Sequence, residues 1–184
     1  LSRSAAAPAG VKGSTILTSS GRYFDIMRPT VDMVVEIDIA RGLANTCRFA
    51  GHTREFYSVA QHCVLVSKLV PREFALAGLL HDAAEAYVGD VVSPLKQYLP
   101  NFKTIEQRIE RVIARKFGLS FPWPKDVKYA DVRALRFERQ HLMHPCGDWN
   151  LERYEAVEGE LVPLLPNDAA QAWSYRFMEL RGAR

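Results

Sequence analysis

The 184-residue sequence predicts an all-α fold: a bundle of six or seven helices with a small N-terminal β-hairpin. Three observations carry this. From residue 38 onward, apolar residues recur at helical spacing. Proline and glycine punctuate the chain so that helices of ordinary length are joined by short links. One stretch alone, "TILTSSGRYFDIMRPT", sets two short β-forming runs around a Ser-Ser-Gly turn.

The elements follow in order. Residues 1–13 lack the apolar stretch of a signal peptide and read as a flexible arm. Residues 14–184 read as one domain, a length that suits a single sizeable core. After the hairpin, Asp38 is placed to N-cap "IARGLANTCRF". In "REFYSVAQHCVLVSKLV", Phe56, Val59, Ala60, Cys63, Val64 and Val66 follow a 3.6-residue period. Pro71 stops that helix and opens "REFALAGLLHDAAEAYV", which Gly89 ends. "TIEQRIERVIARKFG" carries a capping box at Thr104 and Gln107 and a C-cap at Gly118. "FPWP" is a turn, and helical patterns resume at about 125–143, 150–164 and 167–181, the last capped by Asn167 or Asp168.

The bulk composition excludes several classes. Apolar residues make up 48% and charged residues 24%, with a net charge of +3. No Lys/Arg block marks a nucleic-acid surface, and no apolar run is long enough to span a bilayer. Cys47, Cys63 and Cys146 are odd in number and far apart, with no C-x-x-C, which argues against a disulfide framework and a cysteine-built zinc site. A reducing, cytoplasmic setting fits.

Against this background "LLHDAAEAYVGD" stands out. An apolar helix runs into His81 and Asp82, with Glu85 and Asp90 following. Burying charge is costly unless it is paired or coordinates a metal. His62 sits within another apolar helix, and Asp131 lies between Tyr129, Ala130 and Val132 on a third. Alone, His62 reads as a hydrogen-bonded core histidine and Asp131 as a helix-start carboxylate. Together, two imidazoles and two carboxylates suit one divalent cation: Co, Mn, Fe, Ni or Zn, with Mg also compatible.

These residues carry a resemblance. His62, "HD" at 81–82 and Asp131 resemble the H…HD…D signature of the HD-domain metal-dependent phosphohydrolases. "HDAAEAYVGDVVSPLK" and "SVAQH" are similar to segments of the 5′-deoxynucleotidase (YfbR-like) branch. The resemblance implies an HD-type helical bundle with one divalent metal on His62, His81, Asp82 and Asp131. It implies catalytic roles for Glu85 and Asp90, which are not expected to ligate the metal. Glu85 is the favoured acid/base and Asp90 the residue that positions water, though the two roles are exchangeable.

It further implies that Arg48 meets phosphate and Phe49 the sugar, where the branch has an Arg-aromatic pair that is usually Arg-Trp. Arg54 is a second candidate, and Lys96 could meet a phosphate as a point charge. His141 and His144, spaced i,i+3, read as exposed residues near a helix end. Trp123, Trp149 and Trp173 read as core or interface residues without a clear stacking role.

The expected activity is 5′-dephosphorylation of (deoxy)nucleoside monophosphates by a metal-activated water, with a small-molecule phosphate ester as partner. Two alternatives stand beside it: a deoxynucleoside triphosphate triphosphohydrolase, and a non-catalytic binding protein stabilised by its metal. A ppGpp hydrolase is disfavoured because Ala86 follows Glu85, and an HD-GYP phosphodiesterase because no GYP follows the HD pair. Apolar surface around "WSYRFMEL" allows a homodimer or larger homo-oligomer.

Overall fold

The computed structural model describes residues 13–145, 147 and 149–182. The expected arm, Gly13 apart, and Cys146 lie outside them. The fold is mostly helical with a small antiparallel hairpin, as the sequence predicts. The hairpin pairs β1 (Thr15–Leu17) with β2 (Tyr23–Asp25), Ile16 opposite Phe24. The helices are α1 (Glu36–Asn45), α2 (Val59–Leu69), α3 (Ala75–Leu80), α4 (Glu85–Val88), α5 (Ser93–Lys96), α6 (Pro100–Phe117), α7 (Lys125–Leu142) and α8 (Pro166–Gly182). Of these, α4 and α5 are single turns.

α2 lies at the centre, packed against α3, α7 and α8, while α1 leans on α8 and α4. The main core gathers Phe24, Ile39, Leu43, Leu79, Ile113 and Trp173, all buried. A second cluster, with Val66, Val127 and Ala134, fills the space between α2, α3 and α7. Each buried Val, Leu or Ile side chain there contributes about 1.5–3 kcal/mol by leaving water. Gly42 lets α1 touch the α4 turn: a Cβ there would lie 2.8 Å from both the side chain and the carbonyl of Ala86. Gly118 ends α6 in the left-handed region at φ 70°, the C-cap the sequence predicts.

Several boundaries differ from expectation, each for a local reason. Asp38 is not the cap of α1, which opens two residues earlier. Its carboxylate instead accepts from the Thr18, Ser19 and Ser20 hydroxyls and the Ser20 N–H, at 2.7–2.8 Å, and ties the hairpin to α1. α2 starts at Val59 rather than 54, because residues 46–48 pair with 57–59 as a short β-bridge. Ser58 caps it by accepting from the Gln61 N–H. α6 opens at Pro100, whose missing N–H costs nothing in a first turn, so Thr104 is internal and donates to the Pro100 carbonyl. α8 likewise opens on a proline, Pro166.

Residues 150–164 form no helix. Arg133 takes the Glu155 carbonyl and Arg136 takes those of Glu152 and Tyr154, which diverts the acceptors a helix would need. Gln61 pins the same strap by donating to the Val162 carbonyl and accepting from the Leu164 N–H. Among the described residues, no helix is long and apolar enough to cross a membrane.

Candidate metal centre and cleft

The predicted helix over 72–88 breaks where the chemistry sits. After Leu80 the bonds tighten from i+4 to i+3: Ala83 N–H to Leu80, Glu85 N–H to Asp82, Tyr87 N–H to Ala84. At three residues per turn, i and i+3 eclipse. That stacks Glu85 against Asp82 and turns His81 inward.

Four donor atoms converge from α2, this turn and α7. His62 Nε2 lies 3.4 Å from His81 Nε2, 3.5 Å from Asp82 Oδ2 and 3.4 Å from Asp131 Oδ1. His81 Nε2 is 3.2 Å from Asp82 Oδ2. These are the edge lengths of a shell whose bonds to a central ion are about 2.1 Å, since neighbouring donors then sit about 3.0–3.4 Å apart.

The tautomers fit as well. His62 Nδ1–H donates to Glu138 Oε1 at 2.6 Å, and His81 Nδ1–H to the Gly78 carbonyl at 2.8 Å. Both acceptors can only accept, so each Nε2 turns a lone pair toward the others. Two such nitrogens and two carboxylates in one spot call for positive charge. Against the penalty of burial, Asp82 raises the His81 pKa well above the ordinary range, while His81 and His62 hold Asp82 down. The residues present therefore fit a divalent cation. Cys63 Sγ approaches His81 and Asp82. Burial pushes its thiol up to about 11, and the two imidazoles with the two carboxylates offer a nitrogen and oxygen shell without it.

Glu138 is not among the residues that the sequence singles out. It is fully buried, yet its second oxygen accepts from Arg48 Nη2 at 3.0 Å, making a chain His62–Glu138–Arg48. Carboxylates behind metal-binding histidines orient the ring and raise its basicity. The signal was present in the sequence: Glu138 falls seven residues after Asp131, in phase with the buried face of α7 at Val127, Ala130 and Ala134. In the sequence it stands among Arg133, Arg136 and Arg139 and looks like a solvated charge.

Above the centre opens a cleft of ≈ 690 Å³, within the range for a small-molecule site. Asp82 and Asp131 form part of its floor, and Glu85, Asp90, Arg48, Phe49 and Lys96 all line it. Glu85 is 4% exposed. Its Oε1 accepts from Lys96 Nζ at 3.2 Å, and its Oε2 is buried without a partner among the described residues. Burial, then the charges of Asp82 and Asp90, lift its pKa well above the carboxylate range. Asp90 is lifted by burial and Asp82 against the pull of Arg48.

Lys96 is not a simple solvated lysine, since it also donates to Glu106 Oε1 at 2.8 Å. Arg48 Nε is buried without an acceptor among the described residues. Phe49 and Ala50 hold left-handed backbone at φ 55° and 52°, a strain found at sites where position matters. Lys128, on Asp131 Oδ2 at 2.7 Å, and His52 join the lining unforeseen.

Other expectations are not met. Arg54 turns away from this cleft and donates to the His141 carbonyl. His141 is half-buried rather than exposed, with Nδ1–H on the Phe137 carbonyl. Trp173 is core and Trp123 donates to Glu110, but Trp149 lies on the cleft.

The family model for 5′-deoxynucleotidase YfbR-like proteins matches residues 49–143, which span the four donors, Glu138 and all of the cleft lining except Arg48 and Trp149. The chain belongs to this family. It is 45% identical to the uncharacterized protein YfdR of Escherichia coli strain K12, over 93% of this chain and 98% of that one. It is 35% identical to an uncharacterized protein of Rhodobacter capsulatus, over 67% of this chain and 70% of that one. The family is one of hydrolases, of the HD type that uses a divalent metal.

Proposed function

We propose that this protein removes the 5′-phosphate of (deoxy)nucleoside monophosphates, with His62, His81, Asp82 and Asp131 holding one divalent cation. The observation that carries the reading is the further pair of carboxylates, Glu85 and Asp90, that line the same cleft as Asp82 and Asp131. A purely structural metal site has no use for them. When bound, the cation supplies a Lewis acid toward phosphoryl oxygens and lowers the pKa of water.

The protein's own groups do the rest. Arg48 and Lys96 face the phosphate, and the unpartnered Nε–H of Arg48 is available to a phosphoryl oxygen. Asp90 accepts from the attacking water and orients it. Glu85, kept protonated by burial, holds its proton for the leaving 5′-oxygen. As the water oxygen bonds to phosphorus, the P–O5′ bond breaks and O5′ takes that proton. A proton from the water then restores the carboxylate pair, leaving a nucleoside and inorganic phosphate. Such acid–base help gives about 10²- to 10⁴-fold in rate.

The test is product analysis after incubation with ribo- and deoxynucleoside mono- and triphosphates and Mn²⁺, Co²⁺ or Mg²⁺. Inorganic phosphate and nucleoside from the monophosphates support the proposal. Triphosphate released from a deoxynucleoside triphosphate would replace it with a triphosphohydrolase. No turnover of any nucleotide with the cation bound would leave a binding protein.

A further inference from the structure

The cleft is chemically uneven. Its charged groups cluster around Asp82 and Asp131, but Phe49, Val132, Leu135, Met143 and Trp149 also line it. Trp149 is 42% exposed, a large aromatic surface left open on the cleft. Its ring lies 6.3 Å from that of Phe49, tilted by 49°, so the two make an angled wall. Arg139 Cζ sits 5.2 Å from the Trp149 ring centre, and Arg139 also donates to the Gly147 carbonyl. One arginine thus holds both the indole and the Gly147 carbonyl two residues before it. Arg139 lies eight residues past Asp131 on α7, about 12 Å along the helix. The aromatic wall is therefore displaced from the donors along the helix axis. Trp149 also falls outside residues 49–143, the stretch that matches the family.

We infer that Trp149, braced by Arg139 and angled against Phe49, is the platform on which the nucleobase of the substrate stacks. This rests on the nucleotide reading above and extends it to the base. Base–aromatic stacking tolerates any base, because every base has a π-face. Trp149 therefore sets affinity for a nucleotide over a base-free sugar phosphate more than it selects among bases. Its action is on binding, so it moves KM and leaves kcat in place.

The experiment compares wild type, Trp149→Ala and Trp149→Phe on deoxyadenosine 5′-monophosphate and on 2-deoxyribose 5-phosphate, which has the same ester and no base. Indole fluorescence is titrated with deoxyadenosine in parallel. The expected result is a KM for the nucleotide raised about tenfold or more in Trp149→Ala, restored in Trp149→Phe. KM for the sugar phosphate stays unchanged in both variants. Deoxyadenosine quenches wild-type emission, and the quench is gone in Trp149→Phe.

A nucleotide KM unchanged in Trp149→Ala overturns the inference. Equal rises for both substrates also overturn it, since they mean a collapsed loop. If wild type turns over neither substrate, the proposed function fails. The quench then decides the platform separately: quenching through Trp149 upholds base stacking, and its absence overturns it.

Discussion

Replacing Glu138 probes the least visible part of the site. Its carboxylate is fully buried and joins His62 Nδ1 at 2.6 Å to Arg48 Nη2 at 3.0 Å. Glu138→Ala leaves the Arg48 guanidinium buried without its main counter-charge and His62 without an acceptor. Breaking a buried pair from one side costs about 3–5 kcal/mol. At this chain length, about 2–4 °C of Tm per kcal/mol gives a fall of roughly 6–20 °C. Glu138→Gln is the sharper probe. It keeps the volume and one oxygen that can still accept from His62, but removes the charge that polarises the imidazole. Metal affinity should fall about 10- to 100-fold. Thermal unfolding in chelator measures the first effect and calorimetric metal titration the second. A Glu138→Gln protein with wild-type metal affinity would refute the role assigned to Glu138.

Other substitutions test separate links. Glu85→Gln should retain the cation and lose about 10²- to 10⁴-fold in turnover, measured by phosphate release at matched metal occupancy. Near-normal turnover would remove Glu85 from the mechanism. Gly42→Ala should destabilise by about 1–3 kcal/mol, because the new Cβ meets Ala86 at 2.8 Å on the α1–α4 contact; an unchanged denaturant midpoint would contradict that packing. Glu110 gives a pH prediction. Burial lifts its carboxyl to about 7, against the Trp123 N–H that donates to it. The folded pKa exceeds the unfolded value, so the stability this group contributes is complete below about 4.3 and lost as pH rises through 7. Glu110→Gln in chelator should therefore gain on wild type between pH 5 and pH 8, by about 2–3 kcal/mol. A constant difference in Tm across that range would contradict it.

Much of this arrangement is legible in the sequence because local and long-range demands agree. His62, His81 and Asp131 interrupt apolar helix faces, and such interruptions need a partner. The hairpin and the Gly118 cap follow from residue types suited to one backbone conformation. What escapes is decided by contacts distant in sequence. Asp38 looks like a helix cap until the Thr18–Ser20 turn folds onto it. Residues 150–164 carry a helical pattern, but arginines from α7 and Gln61 from α2 take up their backbone groups. The tightened turn at 81–84 keeps the helical apolar spacing, so a long helix is the natural reading although the eclipsed geometry serves the site. Glu138 and Trp149 show the same limit. One looks like a solvated charge and the other like a core aromatic, until α7 and its following loop set them against the cleft.

The proposed function stands on His62, His81, Asp82 and Asp131 holding one divalent cation at the floor of this cleft. Anomalous scattering from cobalt-loaded crystals, with the same measurement on Asp131→Ala, tests it most directly. One cobalt per chain is expected among the two Nε2 atoms and the two carboxylates, and none there in the variant. A cobalt bound elsewhere, or one that keeps its place without Asp131, would contradict it.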